Sequence, residues 1–375
     1  MEHNKNLDGL RGIAASSVVV GHFYYALIST NPMVIFDTHT NNGLSILQKI
    51  LTFLQFILIK IFSNSGHFAV ILFFVLSGYV LTLPYYQGDL QTIQSRLWGR
   101  YLRLNIPIAL VVFIAFLINI HGSIYDYVAM IPGIRWASSW YPDSITLLST
   151  AKMALYESIL KGNNTFNCSL WTLNIEFIGS IFLLSYYYIA PNKNRIITIF
   201  SLLFLLHVLF KENSIYYIAI VCGSLLINTS LSNIILKKLA IACFIILYFF
   251  VVIFDEVIAY SLPTLFSWDP INLYGTIAAL SLVLAIKSGF GAKVLMSNIV
   301  QFLGKVSYPL YMLHILILFS ISCYLYNFLP KTNLYIFINF VIYILLTLVC
   351  SSLFEKFIDK PAVDYSHAFG NWLYK

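Results

Sequence analysis

The chain has 375 residues, 59% of them hydrophobic and 10% charged, with a formal net charge of +7. Soluble domains carry about 25% charged residues. A chain this apolar cannot cover itself with polar side chains, which excludes a soluble enzyme and a disordered protein. What remains is an integral membrane protein with many spans. The reading is an all-α, polytopic helix bundle in which 1–375 form a single membrane domain with no appended soluble domain. The basic excess, 22 Lys and Arg against 15 Asp and Glu, is a topology signal in such a chain and does not call for a nucleic-acid partner.

In chain order, the first apolar run is 10–28, too long for a signal-peptide core and followed by no cleavage site. Further runs at 68–83, 104–120, 170–189, 196–210, 215–227, 234–254, 271–286, 306–326 and 334–354 bring the expectation to about ten transmembrane helices. The segment 46–62, flanked by Lys49 and Lys60, reads as an interfacial or re-entrant helix. With the N-terminus inside, Arg96, Arg100, Arg103, Lys193, Arg195, Lys237, Lys238, Lys287, Lys293, Lys305, Lys356, Lys360 and Lys375 all fall on the cytoplasmic side. Outside fall Arg135, Lys152, Lys161, Lys211 and Lys331, mostly singly, and the stretch 255–269, with Asp255, Glu256 and Asp269 and no base. This alternation predicts an N-in, C-in topology. The longest outside loop, 122–169, carries Trp136, Trp140 and Tyr141, which suit either a sugar face or an interfacial belt. Two Asn-x-Ser/Thr patterns, at Asn163 and Asn167, fit a glycosylation signature that also arises by chance. Of five cysteines, only Cys168 lies outside an apolar run, and no Cys/His cluster has metal-ligand spacing, so neither a disulfide framework nor a metal site is expected.

Ionisable groups inside spans are expensive and point to function. Arg11 and His22 are 11 residues apart in the first run. That is close to three helical turns and roughly 16 Å, so both lie on one face, with Arg11 at the cytoplasmic interface and His22 near mid-membrane. Small residues between them, Gly12 to Gly21, let a neighbour or ligand approach. The pair suggests a tunnel with a phosphate-holding cation at its mouth and a general base at depth. Ser77 and Gly78 follow in FFVLSGY at 73–79. Arg96, Arg100 and Arg103, spaced by four and three, place three guanidiniums on one helix face of the first cytoplasmic loop, suited to a polyphosphate or to lipid headgroups. Glu176, in LWTLNIE at 170–176, lies within two turns of the outer surface and is placed to orient a His or an acceptor hydroxyl. Tyr311 and His314, in SYPLYMLH at 307–314, share a face, and His314 reaches a depth close to that of His22. Glu355 and Asp359 mark the inner end of the last span.

These blocks, in this order and over nearly the whole chain, resemble the acyltransferase 3 family of membrane O-acyltransferases. The resemblance rests on LDGLRGIAA at 7–15 with the Arg11 to His22 spacing, on FFVLSGY at 73–79, on Arg100-x-x-Arg103 with Pro107, on LWTLNIE and on SYPLYMLH. It implies an enzyme, with no bound cofactor or metal, that transfers an acyl group, most simply acetyl, from cytoplasmic acyl-CoA. The acceptor would be a hydroxyl of a cell-surface glycan or lipid-linked saccharide, and the setting the cytoplasmic membrane of a bacterium. In that scheme His22 and Glu176 are catalytic, Arg11, Arg100 and Arg103 bind the donor, and Asp8, Ser77, Tyr311 and His314 support them. Many relatives carry a polar residue where this chain has Ile71; His67 is the nearest substitute. The alternative is a transporter or flippase for a glycolipid or anion, with the polar groups lining its path. That reading asks for an internal repeat or paired broken helices, and the sequence has neither.

Overall fold

The computed structural model describes residues 5–28, 46–121, 124–131, 134, 145–189, 195–255, 264 and 268–374. Trp136, Trp140 and Tyr141 lie outside the described residues, as do Arg135, Lys193, Glu256 and Lys375 of the charge pattern. Every described regular element is a helix. Among the described residues, eight helical segments are long and apolar enough to cross a membrane: Lys60–Tyr86, Leu90–Ile120, Cys168–Ile189, Ile197–Asn228, Ile234–Ile253, Pro270–Lys287, Ser307–Phe328 and Asn333–Leu373.

The first helix, α1 (Lys5–Phe23), is not among the eight, because Asp8, Arg11, Ser16, Ser17 and His22 make it too polar. It packs instead inside the bundle, where intramembrane polar groups belong, against α2 (Ile46–Tyr86) and two later helices. The segment 46–62 is not a separate surface helix. It is the first part of α2, whose 41 residues reach about 61 Å, twice the ~30 Å hydrocarbon layer. The chain then turns through Gly88, and Asp89 caps α3 (Leu90–His121) by accepting from the Thr92 amide at 2.9 Å and the Thr92 hydroxyl at 2.6 Å. Those two donors hold the Asp89 carboxyl below the usual carboxylate range. Arg96, Arg100 and Arg103 therefore stand on the first turns of a spanning helix, not in a loop.

Helix α4 (Trp171–Ile189) is entered through a 3-10 turn held by Asn167, which is fully buried and donates to the Met312 carbonyl at 2.7 Å. That burial removes Asn167 as a glycan acceptor. α5 (Arg195–Phe210) and α6 (Ser214–Leu225) are separated at Lys211, the one described non-glycine residue with positive φ, at 45°. α7 (Ile234–Ile253) is apolar beyond Lys237 and Lys238 and only 6% of its span is buried, so it stands at the lipid-facing edge. α8 (Pro270–Lys287) is capped by Asp269. α9 (Asn298–Lys305) and α10 (Ser307–Ile317) complete the packing around α1. A Cβ at Gly12 would lie 2.4 Å from the Gly304 amide, and one at Gly304 would lie 2.4 Å from the Asp8 carbonyl. Glycine at both positions is what lets α1 and α9 touch backbone to backbone.

The last span, α11 (Asn333–Phe354), does not end at Glu355. It runs through a π turn, Glu355–Asp359, into α12 (Lys360–Tyr374), which lies along α3. Two more π turns, Tyr24–Ile28 and Leu318–Ser322, follow α1 and α10 directly, each within a turn or so of a histidine, the half-buried His22 and the fully buried His314. Such bulges are frequent at functional sites.

Candidate active site

Two cavities open along α1, and they are divided from each other. The first, about 200 Å³, is lined by Arg11, Ser77, Arg100, Arg103, Glu176 and Tyr308 among others. The second, about 420 Å³, is lined by His22, Asn64, His67, Trp171, Asp255 and Asp269. Val70 and Tyr311 belong to both linings and form the wall between them.

In the arginine cavity most charge is already matched. Arg100 Nη2 meets Glu176 Oε1 at 2.6 Å, Arg100 Nε donates to Ser180 Oγ at 2.8 Å, and Ser77 Oγ donates to the same Glu176 oxygen at 3.2 Å. Arg103 Nη1 meets Asp359 Oδ1 at 2.6 Å, and its guanidinium lies 4.9 Å from the centroid of the Tyr308 ring. Buried guanidiniums of this kind are tolerable only when paired. Arg11 makes no ion pair among the described residues, so it is the wall's unmatched cation and the natural seat for an anion.

The histidine pair fixes its own tautomers. His314 Nδ1 lies 3.1 Å from the Leu310 carbonyl and His22 Nδ1 lies 3.0 Å from the Val18 carbonyl. A carbonyl only accepts, so each Nδ1 carries the proton of a neutral ring. His314 Nε2 is then an acceptor, and it stands 3.1 Å from His22 Nδ1, whose N–H it shares with Val18. His22 Nε2 is left with a lone pair and no partner among the described residues, on a wall of the larger cavity. When that nitrogen takes a proton, the resulting cation already points its Nδ1–H at two acceptors. The arrangement is a positioned general base with His314 as its orienting group, the division of labour seen in catalytic dyads and triads.

Tyr311 holds the dividing wall. Its hydroxyl donates to Thr172 Oγ1 at 2.9 Å, and the Thr172 hydroxyl donates in turn to the Ser169 carbonyl at 2.9 Å. The Tyr311 ring packs edge-on to Phe73, centroids 5.9 Å apart, and at 5.9 Å from His314.

The expected site residues thus fall into two groups. Arg11, Arg100, Arg103, Ser77 and Glu176 line the arginine cavity, and His22 lines the other, with His314 behind it and Tyr311 between. Glu176 is not brought to His22; its carboxylate is held by Arg100 in the other cavity. Asp8 lines neither cavity and sits at the α1–α9 contact. Ile71 is fully buried in the core, and His67 reaches the larger cavity bonded to Asn272 Oδ1 at 2.6 Å.

A family model described as an acyltransferase domain matches residues 4–356. The chain belongs to the acyltransferase 3 family. No curated protein and no solved structure matches it. As a family member it is a membrane acyltransferase of the class that transfers groups other than amino-acyl groups, and the transporter reading is set aside. Within this acyltransferase, sequence reasoning misses Ser180, Thr172 and the pairing of Asp359 with Arg103. Asp359 carries the one available signal, a carboxylate just past the last apolar run, between Lys356 and Lys360.

Proposed function

We propose that the enzyme moves an acyl group, acetyl first among candidates, from cytoplasmic acyl-CoA to a hydroxyl of a cell-surface glycan or lipid-linked saccharide, in the cytoplasmic membrane of a bacterium. The observation that carries this reading is the meeting, across Tyr311, of a cavity with one unmatched guanidinium and a larger cavity holding a neutral imidazole with an open lone pair. Arg11 holds a donor phosphate, and Arg100 and Arg103, fixed by Glu176 and Asp359, shape the cavity around it. The pantetheine arm covers the roughly 16 Å of α1 between Arg11 and His22. The acceptor lies in the larger cavity, where Trp171, Asn64, His67 and Asp269 offer the ring face and polar groups a saccharide uses.

The acceptor oxygen attacks the thioester carbonyl while His22 Nε2 takes the hydroxyl proton. The carbon–sulfur bond breaks, the ester forms, and the thiolate of CoA leaves with the proton that His22 returns. His314 holds the imidazole and stabilises its cation. The scheme needs no bound cofactor or metal. A ten-span, N-in and C-in topology accompanies it: α1 adds one span to the eight, and the turn at Lys211 divides 197–228 into two. Arg96, Arg100, Arg103 and Lys305 then face the cytoplasm, and the Lys60–Asp255 pair, 3.0 Å apart, faces outside.

Purified enzyme in nanodiscs with radiolabelled acetyl-CoA tests the reading, alongside surface-glycan acetyl content in cells with and without the gene. Label transfer that His22→Ala abolishes supports it. Transfer undiminished in that variant, or no acetyl difference in cells and no use of acyl-CoA in vitro, overturns it. Reporter fusions that place the C-terminus outside would break the topology.

A further inference from the structure

Helix α12 lies beyond the matched residues 4–356, yet it completes a third cavity. The space, about 150 Å³, lies between α3 and α12 and is lined by Ser95, Arg96, Arg100, Arg103, Ser366 and His367 among others. It shares Val80, Leu81, Arg100 and Arg103 with the arginine cavity, so the two lie wall to wall. Reciprocal glycines set the approach: a Cβ at Gly99 would lie 2.3 Å from the Ser366 carbonyl, and one at Gly370 would lie 2.1 Å from the Ser95 carbonyl.

The wall is made for an anion. Pro84 has no N–H to return to the Val80 carbonyl, and Arg96 Nη1 supplies that missing donor at 2.8 Å, also reaching the Leu81 carbonyl at 3.1 Å. One edge of the guanidinium is thereby pinned, leaving Nε and Nη2 for another partner, and Arg96 makes no ion pair among the described residues. Asp89, the carboxylate at the neighbouring turn, is engaged by Thr92. Ser95 is 2% exposed, and its hydroxyl has no hydrogen-bond partner among the described residues. His367 makes no hydrogen bond there either. A cavity of 150 Å³ is well below the roughly 300–1,000 Å³ that encloses a whole drug-sized ligand, so it suits one charged group and not a nucleoside.

We propose that the α3–α12 cavity binds a phosphate monoester of the donor, the ribose 3′-phosphate of CoA, through Arg96, Ser95 and His367. The proposal rests on the acyl-CoA reading above and adds to it a subsite whose α12 wall lies beyond the matched residues. The competing source of the same chemistry is the phosphate of an anionic lipid.

The experiment compares binding of CoA and 3′-dephospho-CoA to the full chain in phosphatidylcholine nanodiscs, by calorimetry. Wild type is expected to prefer CoA by roughly ten-fold or more, the worth of a charge-assisted contact. Arg96→Gln and His367→Gln are each expected to shrink that preference, weakening CoA while leaving dephospho-CoA binding near the wild-type value. Because Arg96 also serves the Val80 carbonyl, His367→Gln, which breaks no described hydrogen bond, keeps the test valid if Arg96→Gln folds poorly. Equal binding of the two ligands by wild type, or a preference that survives in His367→Gln, overturns the proposal. So does a CoA preference that disappears when phosphatidylglycerol is added to the discs, which would make the cavity a lipid site. Failure of the acyl-CoA reading looks different: neither ligand binds at all, and the subsite falls with it.

Discussion

The two cavities that meet at Tyr311 handle charge in opposite ways. On the arginine side, charge is abundant and mostly neutralised in place: Arg100 by Glu176 and Arg103 by Asp359, both at 2.6 Å, with Arg11 left over. On the histidine side, the reacting group carries no charge at rest, and its partners are a carbonyl and a second imidazole instead of a carboxylate. A carboxylate behind His22 would hold it protonated more readily, but at the cost of burying another ion at mid-membrane depth, where each ion is expensive. A neutral orienting ring gives the same tautomer control without that ion. The comparison therefore separates a region that grips a charged donor from one that moves a proton, and each can be broken independently.

The largest effect is expected on the histidine side. His22→Ala should lower turnover by about 10²–10⁴-fold, the usual worth of a general base, with donor affinity unchanged. His314→Ala should cost less, since it removes orientation and not the base. His314→Gln, which can offer an acceptor near the position of Nε2, should recover part of the loss. Thiol release from acyl-CoA in the presence of acceptor measures both. If His314→Ala costs more than His22→Ala, the assignment of base and orienting group must be reversed.

Next comes the unmatched cation. Arg11→Ala should raise the donor KM by roughly 10–100-fold with little change in kcat, as loss of a contact to a charged group predicts. Arg11→Lys should recover only part, because an ammonium cannot form the bidentate fork. Added salt should weaken donor binding in wild type and have less effect in Arg11→Ala. An Arg11→Ala enzyme with normal donor KM would remove the phosphate role from this side of the comparison.

Much of this division is legible in the sequence, for a geometric reason. Arg11 and His22 lie on one helix, and the 3.6-residue period places them on one face at two depths. Tyr311 and His314, three apart, are equally readable. The same period puts Arg96, Arg100 and Arg103 on one face, as the α3–α12 cavity has them. What stays hidden is which helices face each other. The Glu176–Arg100 pair joins residues 76 apart in the chain, and His22–His314 joins residues 292 apart. A residue's depth in its own span says nothing about its rotation, so Glu176 reads as an orienting group for a histidine although it turns toward the arginines. Helix ends are hidden as well. Hydropathy falls where the apolar layer ends, while α2 and α3, and α11 through α12, carry on as helix beyond it.

Glu176→Gln sharpens the comparison from the stability side. It leaves Arg100, 8% exposed, facing an amide in place of a carboxylate. Breaking one partner of a buried pair costs about 3–5 kcal/mol, and partial solvent access to Glu176 brings the expected loss to the lower end or below. The variant should melt earlier in detergent and lose donor affinity, while the pH profile of the remaining turnover, set on the far side of Tyr311, keeps its shape. A changed profile with unchanged melting would restore Glu176 to a direct part in proton transfer.

The smallest effects should come from the wall itself, where they are also the most diagnostic. Tyr311→Phe removes only the hydroxyl that donates to Thr172 at 2.9 Å, and the ring still fills the space between Phe73 and His314. The expected cost is about 1 kcal/mol of stability, the net worth of one neutral hydrogen bond, with transfer largely intact. Tyr311→Ala keeps neither the bond nor the ring and joins the two cavities. If the wall serves to keep the thioester from water until an acceptor is present, that variant should hydrolyse acyl-CoA without acceptor faster than wild type does, even as productive transfer falls. The ratio of hydrolysis to transfer is the quantity to follow, because a general loss of folding would lower both together. A ratio that does not move in Tyr311→Ala would mean that the separation of the two cavities has no part in keeping water from the thioester.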